Sequence, residues 1–100
     1  MKEIKIFLDK GKKNEVKDTI QFNNIVAGEK SSKKLYIFST VNLYIDIDIS
    51  VEGKFVKIVK NIKSIDPVGK GEIELEIFPN ITTMKPIEAK LNIKINYIIT

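Results

Sequence analysis

Between residues 43 and 51 every second side chain is aliphatic (Leu43, Ile45, Ile47, Ile49 and Val51), and Tyr44, Asp46, Asp48 and Ser50 stand between them. A strand points successive side chains to opposite faces, so this period of two collects all five aliphatics on one side, whereas a helix would scatter them. The period returns at 72–77, where Ile73, Leu75 and Ile77 alternate with Glu72, Glu74 and Glu76. It returns again at 87–99, where Ile87, Ala89, Leu91, Ile93, Ile95, Tyr97 and Ile99 alternate with Glu88, Lys90, Asn92, Lys94 and Asn96. Such a chain must form sheets with one dry and one wet face.

Weaker alternation predicts further strands at 3–8, 16–22, 34–39 and 55–59. In Leu35, Tyr36, Ile37 and Phe38 both faces are apolar, which places that strand centrally or covers its outer side. Composition agrees: 19 Ile, 7 Val and 5 Thr stand against 2 Ala and 5 Leu, and stiff β-branched side chains suit pleated strands better than helices. No window has apolar residues at helical spacing between caps. At most one helical turn fits at 80–85. Gly, Pro and Asn punctuate the intervals, at Gly11, Asn14, Gly28, Asn42, Gly53, Pro67, Gly69, Pro79 and Asn80. The expectation is one all-β domain spanning residues 1–100, a sandwich of about seven strands, with 10–14 as its only linker-like stretch.

Much chemistry is excluded by missing parts. There is no His, Cys or Trp, and every basic residue is Lys. Ser31, Ser32, Ser39, Ser50 and Ser64 therefore have no imidazole to serve as base, and no thiol nucleophile or zinc-thiolate set exists. Five glycines scattered singly through turns form no phosphate loop. We expect no enzyme, no cofactor and no metal site. The formal charge of +4 comes from compact ammonium groups, which lack the planar fork that reads base edges. Two lysine clusters, at Lys10, Lys12, Lys13 and Lys17 and at Lys30, Lys33 and Lys34, are interrupted by Glu15, Asp18 and Glu29. They read as solubilising loops, and no nucleic-acid partner is expected. Residues 1–9 lack the apolar stretch of a secretory signal, and no run approaches a membrane span, so no membrane insertion is expected and localisation stays open.

Two acidic patterns deserve a reading. Asp46 and Asp48 share a strand face with their carboxylates roughly 6 to 7 Å apart, a spacing open to Ca²⁺ or sugar chemistry or, more plainly, to a solvated face paired with lysines. Glu72, Glu74 and Glu76 match a basic row at Lys90 and Lys94; the expectation is that those two strands are neighbours held in register by opposite charge, the alternative being that the acidic row meets a basic partner.

From Phe22 onward the order of features resembles the immunoglobulin-like β-sandwich modules of the PapD-like and bacterial Ig-like type, found in prokaryotic surface proteins and in virion proteins of tailed phages. The carriers are Phe22 with Val26-Ala27-Gly28-Glu29, then Lys34-Leu35-Tyr36-Ile37, then the inward Ile45, Ile47 and Ile49, then Pro67 and Gly69 before the strand that starts at Gly71, then Pro79. Val68 separates Pro67 from Gly69, and Ser39-Thr40 replaces an expected Asn. The Cys and Trp of antibody domains are missing.

The resemblance implies a single Ig-like sandwich acting as a non-enzymatic structural or protein-interaction module, with an accessory or decoration protein of a prokaryotic virion as its expected context. The alternatives are an adhesion-type or assembly subunit of a bacterial or archaeal cell, and a carbohydrate- or Ca²⁺-binding sandwich. The expected partner is another protein or further copies of the chain. The candidate interaction edge is the end of the last strand, at Ile93, Ile95, Tyr97, Ile98 and Ile99, where the segment outruns a small sandwich and an uncovered edge would invite strand addition.

Overall fold

The structure is a computed structural model that describes residues 3–97, and for Tyr97 only the backbone. No helix occurs among these residues, and nine strands do: β1 (Ile4–Phe7), β2 (Glu15–Val16), β3 (Thr19–Phe22), β4 (Ser31–Ser39), β5 (Ile45–Glu52), β6 (Val56–Lys60), β7 (Ser64–Ile65), β8 (Lys70–Ile77) and β9 (Ile87–Tyr97). They form two antiparallel sheets, one ordered β2-β1-β4-β8-β6 and the other β3-β9-β5-β7. The all-β sandwich expected from the alternation is what the chain adopts. Two of the nine strands are two-residue pieces that alternation is too short to announce.

The inward residues of both sheets make one core. Phe22, Leu35, Ile37, Ile45, Ile73, Leu75 and Ile77 are its largest fully buried side chains, each stabilising the fold by about 1.5–3 kcal/mol relative to exposure. β4 lies between β1 and β8 as its two apolar faces require. Its outer face is covered as well: Phe38 packs edge-on against Phe7 at 5.7 Å, and Lys12 and Lys10 lie over the rings of Phe38 and Tyr36.

From β2 onward each successive strand belongs to the opposite sheet. The predicted single strand at 16–22 is cut in two by this rule. β2 pairs with β1 in the first sheet, the chain steps across at Lys17 and Asp18, and β3 pairs with β9 in the second. Asp18 occupies the slot that strict alternation would turn into the core, and a charge there cannot be buried cheaply. The strand breaks where continuing it would bury a carboxylate.

The predicted pairing of the acidic row with Lys90 and Lys94 is corrected. β8 lies in the first sheet between β4 and β6, so Glu74 stands opposite Lys34 and Lys60, and Glu76 opposite Lys57. Glu72 is held by Lys34 at 3.6 Å and Lys60 at 3.7 Å. Lys90 and Lys94 face Glu52 and Asp48 across the other sheet. Alternation fixes which face a charge occupies, but any strand bearing opposite charges can become its neighbour.

Candidate interaction edge

β9 is the longest strand and the second of its sheet. Its inward side chains grade from buried to half-buried along the strand, with Ala89 and Leu91 enclosed and Ile93 and Ile95 partly open. On one side β5 pairs with it from Lys90 to Tyr97. On the other side β3 pairs only from Ile87 to Lys90, and one further hydrogen bond follows, from the Leu91 N–H to the Asp18 carbonyl at 2.7 Å. Beyond Leu91 no described strand runs along that side.

The orientation of the free groups follows from the ladder. In an antiparallel pair, opposed residues either exchange hydrogen bonds or turn them outward, alternating along the strand. The Ile47 N–H donates to Lys63 O at 2.9 Å, and the Asn61 amide donates to Ile49 O at 3.1 Å. Ile47 and Ile49 thus direct their main-chain groups away from β9, and so do their partners Ile95 and Ile93 on the far side. The Leu91 bond to Asp18 follows the same phase. Ile93 and Ile95 hold out N–H and C=O groups toward open space, the template of an edge strand.

A second edge lies across from it. β1 meets β2 only through Ile6 and Phe7, so Ile4 and Lys5 extend past β2. Between this stretch and β9 runs a groove of about 800 Å³. Ile4, Ile6, Val16, Leu91 and Ile93 form its apolar floor. Lys5, on the outer face of β1, and Lys94, on the outer face of β9, stand at its two lips, while Glu15, Lys17 and Asp18 sit where the chain crosses between sheets.

Of the residues expected at an interaction edge, Ile93 and Ile95 lie on this free stretch, and the backbone of Tyr97 continues it. The Tyr97 side chain, Ile98 and Ile99 lie outside the described residues. The opposite lip at Ile4 and Lys5 was not legible in the sequence, because nothing local to 3–8 shows which strand faces it. The one local clue to the groove was Asp18, a charge in an inward slot.

The other candidates are placed by the strands and loops that carry them. Asp46 and Asp48 are exposed, opposite Asn96 and Lys94 on β9, and Asp46 also opposite Ser64 on β7. Among the described residues no group of three or more acidic side chains gathers as a metal shell would require. Members of both lysine clusters fold back onto the protein, whereas Lys17 lines the groove. Lys33 donates to Gln21 O at 2.6 Å and lies over the Phe22 ring, and Lys30 lies over Phe78. In the β1–β2 loop the Asp9 carboxylate accepts from the Asn14 and Lys13 backbone N–H groups and the Asn14 amide, which bring Lys10 and Lys12 over the β4 aromatics. Those bonds, the one from the Asn14 backbone foremost, hold the Asp9 carboxyl below its ordinary value of 3.8.

No family model matches the chain, and comparison with curated proteins and with solved structures returns no match.

Proposed function

We propose that this chain is a non-enzymatic structural and protein-interaction module that joins a larger assembly through the free edge of β9. The observation that carries the reading is the outward-directed main chain of Ile93 and Ile95 beside an apolar groove. Unpaired strand edges are costly hazards in soluble proteins, usually shortened, bulged or covered. β6, the five-residue edge strand of the first sheet, has an irregularity between Ile58 and Lys60 and carries Lys57 and Lys60. The β9 ladder with β5 runs without a register shift, and the free stretch beyond Leu91 bears one lysine, Lys94. The Ig-like resemblance supports a module of this kind, and with it the expected setting as an accessory protein of a prokaryotic virion.

The test is size-exclusion chromatography with light scattering on the purified chain, alone and mixed with particles or assemblies from its source, for the wild type and for Ile95→Pro. Proline removes one donor on the open side and is tolerated at an edge whose N–H faces solvent. The wild type is expected to co-migrate with an assembly, and Ile95→Pro to remain folded and unbound. A chain that binds no assembly, or binds equally well with the proline, overturns the reading.

A further inference from the structure

We infer that the groove between β1 and β9 accepts an extended segment of a different protein, in which apolar residues alternate with acidic ones, added as a strand alongside Ile93 and Ile95. This rests on the β9 edge being the docking site and specifies what docks there.

Three observations set the chemistry. The main-chain groups of Ile93 and Ile95 repeat every second residue, so only an extended backbone satisfies both. The floor is apolar, so the side chains that the incoming strand turns inward must be apolar. Its remaining side chains emerge on the outer face of the β9 sheet, where carboxylates meet the opposite charge of Lys94. Glu15 and Asp18 confine this preference to the end of the groove away from the crossover; beside the crossover the incoming residues are neutral or basic.

The chain's own segments are poor occupants. Two of its strands carry apolar residues alternating with acids, β5 with Asp46 and Asp48 and β8 with Glu72, Glu74 and Glu76. Each lies between two neighbours, β5 between β9 and β7 and β8 between β4 and β6, and cannot be lent without dismantling its sheet. Pairing β9 with β9 of a second copy in the register centred on Lys94 brings two Lys94 side chains together, a destabilising like-charge contact. A foreign acidic strand meets neither obstacle.

The test uses the full chain and three synthetic probes of equal length with soluble flanks: a peptide alternating isoleucine with glutamate, the same peptide with lysine for glutamate, and the glutamate peptide with a central proline. Calorimetry gives the affinities, and amide shifts locate the site. The expected result is binding of the glutamate peptide about tenfold tighter than the lysine peptide, the equivalent of one attractive cross-strand contact with Lys94 exchanged for a repulsive one. Its shifts centre on Ile93 and Ile95, the proline peptide fails to bind, and Lys94→Glu reverses the preference. Equal affinity of the two charged peptides, shifts centred elsewhere, or concentration-dependent dimers of the wild type that persist in Lys94→Glu overturn the inference. If no probe binds while assembly binding is still abolished by Ile95→Pro, the acidic chemistry is wrong and the edge reading survives. If assembly binding also ignores the proline, both fall.

Discussion

The two long sides of the sandwich are closed in different ways. On one side the chain leaves β6, crosses through Asn61 and Ile62, and re-enters as β7, so that Ile65 is buried and the outward groups of Ile47 and Ile49 are taken by Lys63 O and the Asn61 amide. On the other side the crossing at Lys17 and Asp18 is only two residues long. It satisfies Leu91 and then turns away, leaving a groove floored by Ile4 and Ile93 with Lys5 and Lys94 at its lips. The same device, a strand that changes sheets, thus seals one margin and leaves half of the other open. What differs is the chain available beyond the crossing.

The sharpest way to break this comparison is to truncate one aliphatic on each side. Ile65→Ala is expected to cost about 3 kcal/mol in denaturant unfolding, because a fully enclosed side chain leaves a cavity. Ile93→Ala, half-exposed already, is expected to cost about 1 kcal/mol. Equal losses would mean that the open margin is as tightly packed as the sealed one.

A gain is available on the sealed side. The turn from β7 to β8 closes with Gly69 N–H donating to Asp66 O at 2.8 Å, and Val68, between Pro67 and Gly69, sits at φ 50°. A β-branched residue resists that left-handed conformation, and with 65% of its surface exposed Val68 recovers little by burial. Val68→Asn is therefore expected to raise stability by about 1 kcal/mol, read as a higher midpoint at unchanged m-value. An unchanged or lowered midpoint would show that the valine is not strained.

The smallest effect belongs to the open side. Because the folded Asp9 carboxyl is held below 3.8, the unfolded chain takes up its proton at higher pH than the folded one. Its contribution is complete above 3.8 and is lost as pH falls through the lower folded value. Amide signals of Lys13 and Asn14 should report loosening of the β1–β2 loop in that acid window only, and Asp9→Ala should show the loosened signals at every pH. A wild-type loop indifferent to acid would remove Asp9 as its clasp.

Much of this fold could be read from residues in order. The inward sets at 45–51, 73–77 and 87–95 were legible because burial on one face imposes a period of two. Leu43 marks a limit: it continues the pattern yet stands exposed before β5 begins at Ile45. Neighbours were not legible, since Glu72, Glu74 and Glu76 could have met any row of lysines. The β7 pair at Ser64 and Ile65 was too short to alternate. For the candidate site, Ile93 and Ile95 could be named from one strand alone, but the opposing lip at Ile4 and Lys5 depends on three-dimensional closure.

The strict exchange of sheets from β2 onward also sets an order of events. β3 and β5 never touch as partners, and β9 alone joins them. During synthesis half of the sandwich must wait as separate ribbons until residues near 87–97 leave the ribosome. The first sheet, β2-β1-β4-β8-β6, can pair before β9 arrives, and the β1–β2 hairpin is its most local ladder. Folding should then be slow for a domain of this size, governed by distant loop closure, and the interval before β9 arrives is when the unfinished sheet is most open to pairing with the wrong strand.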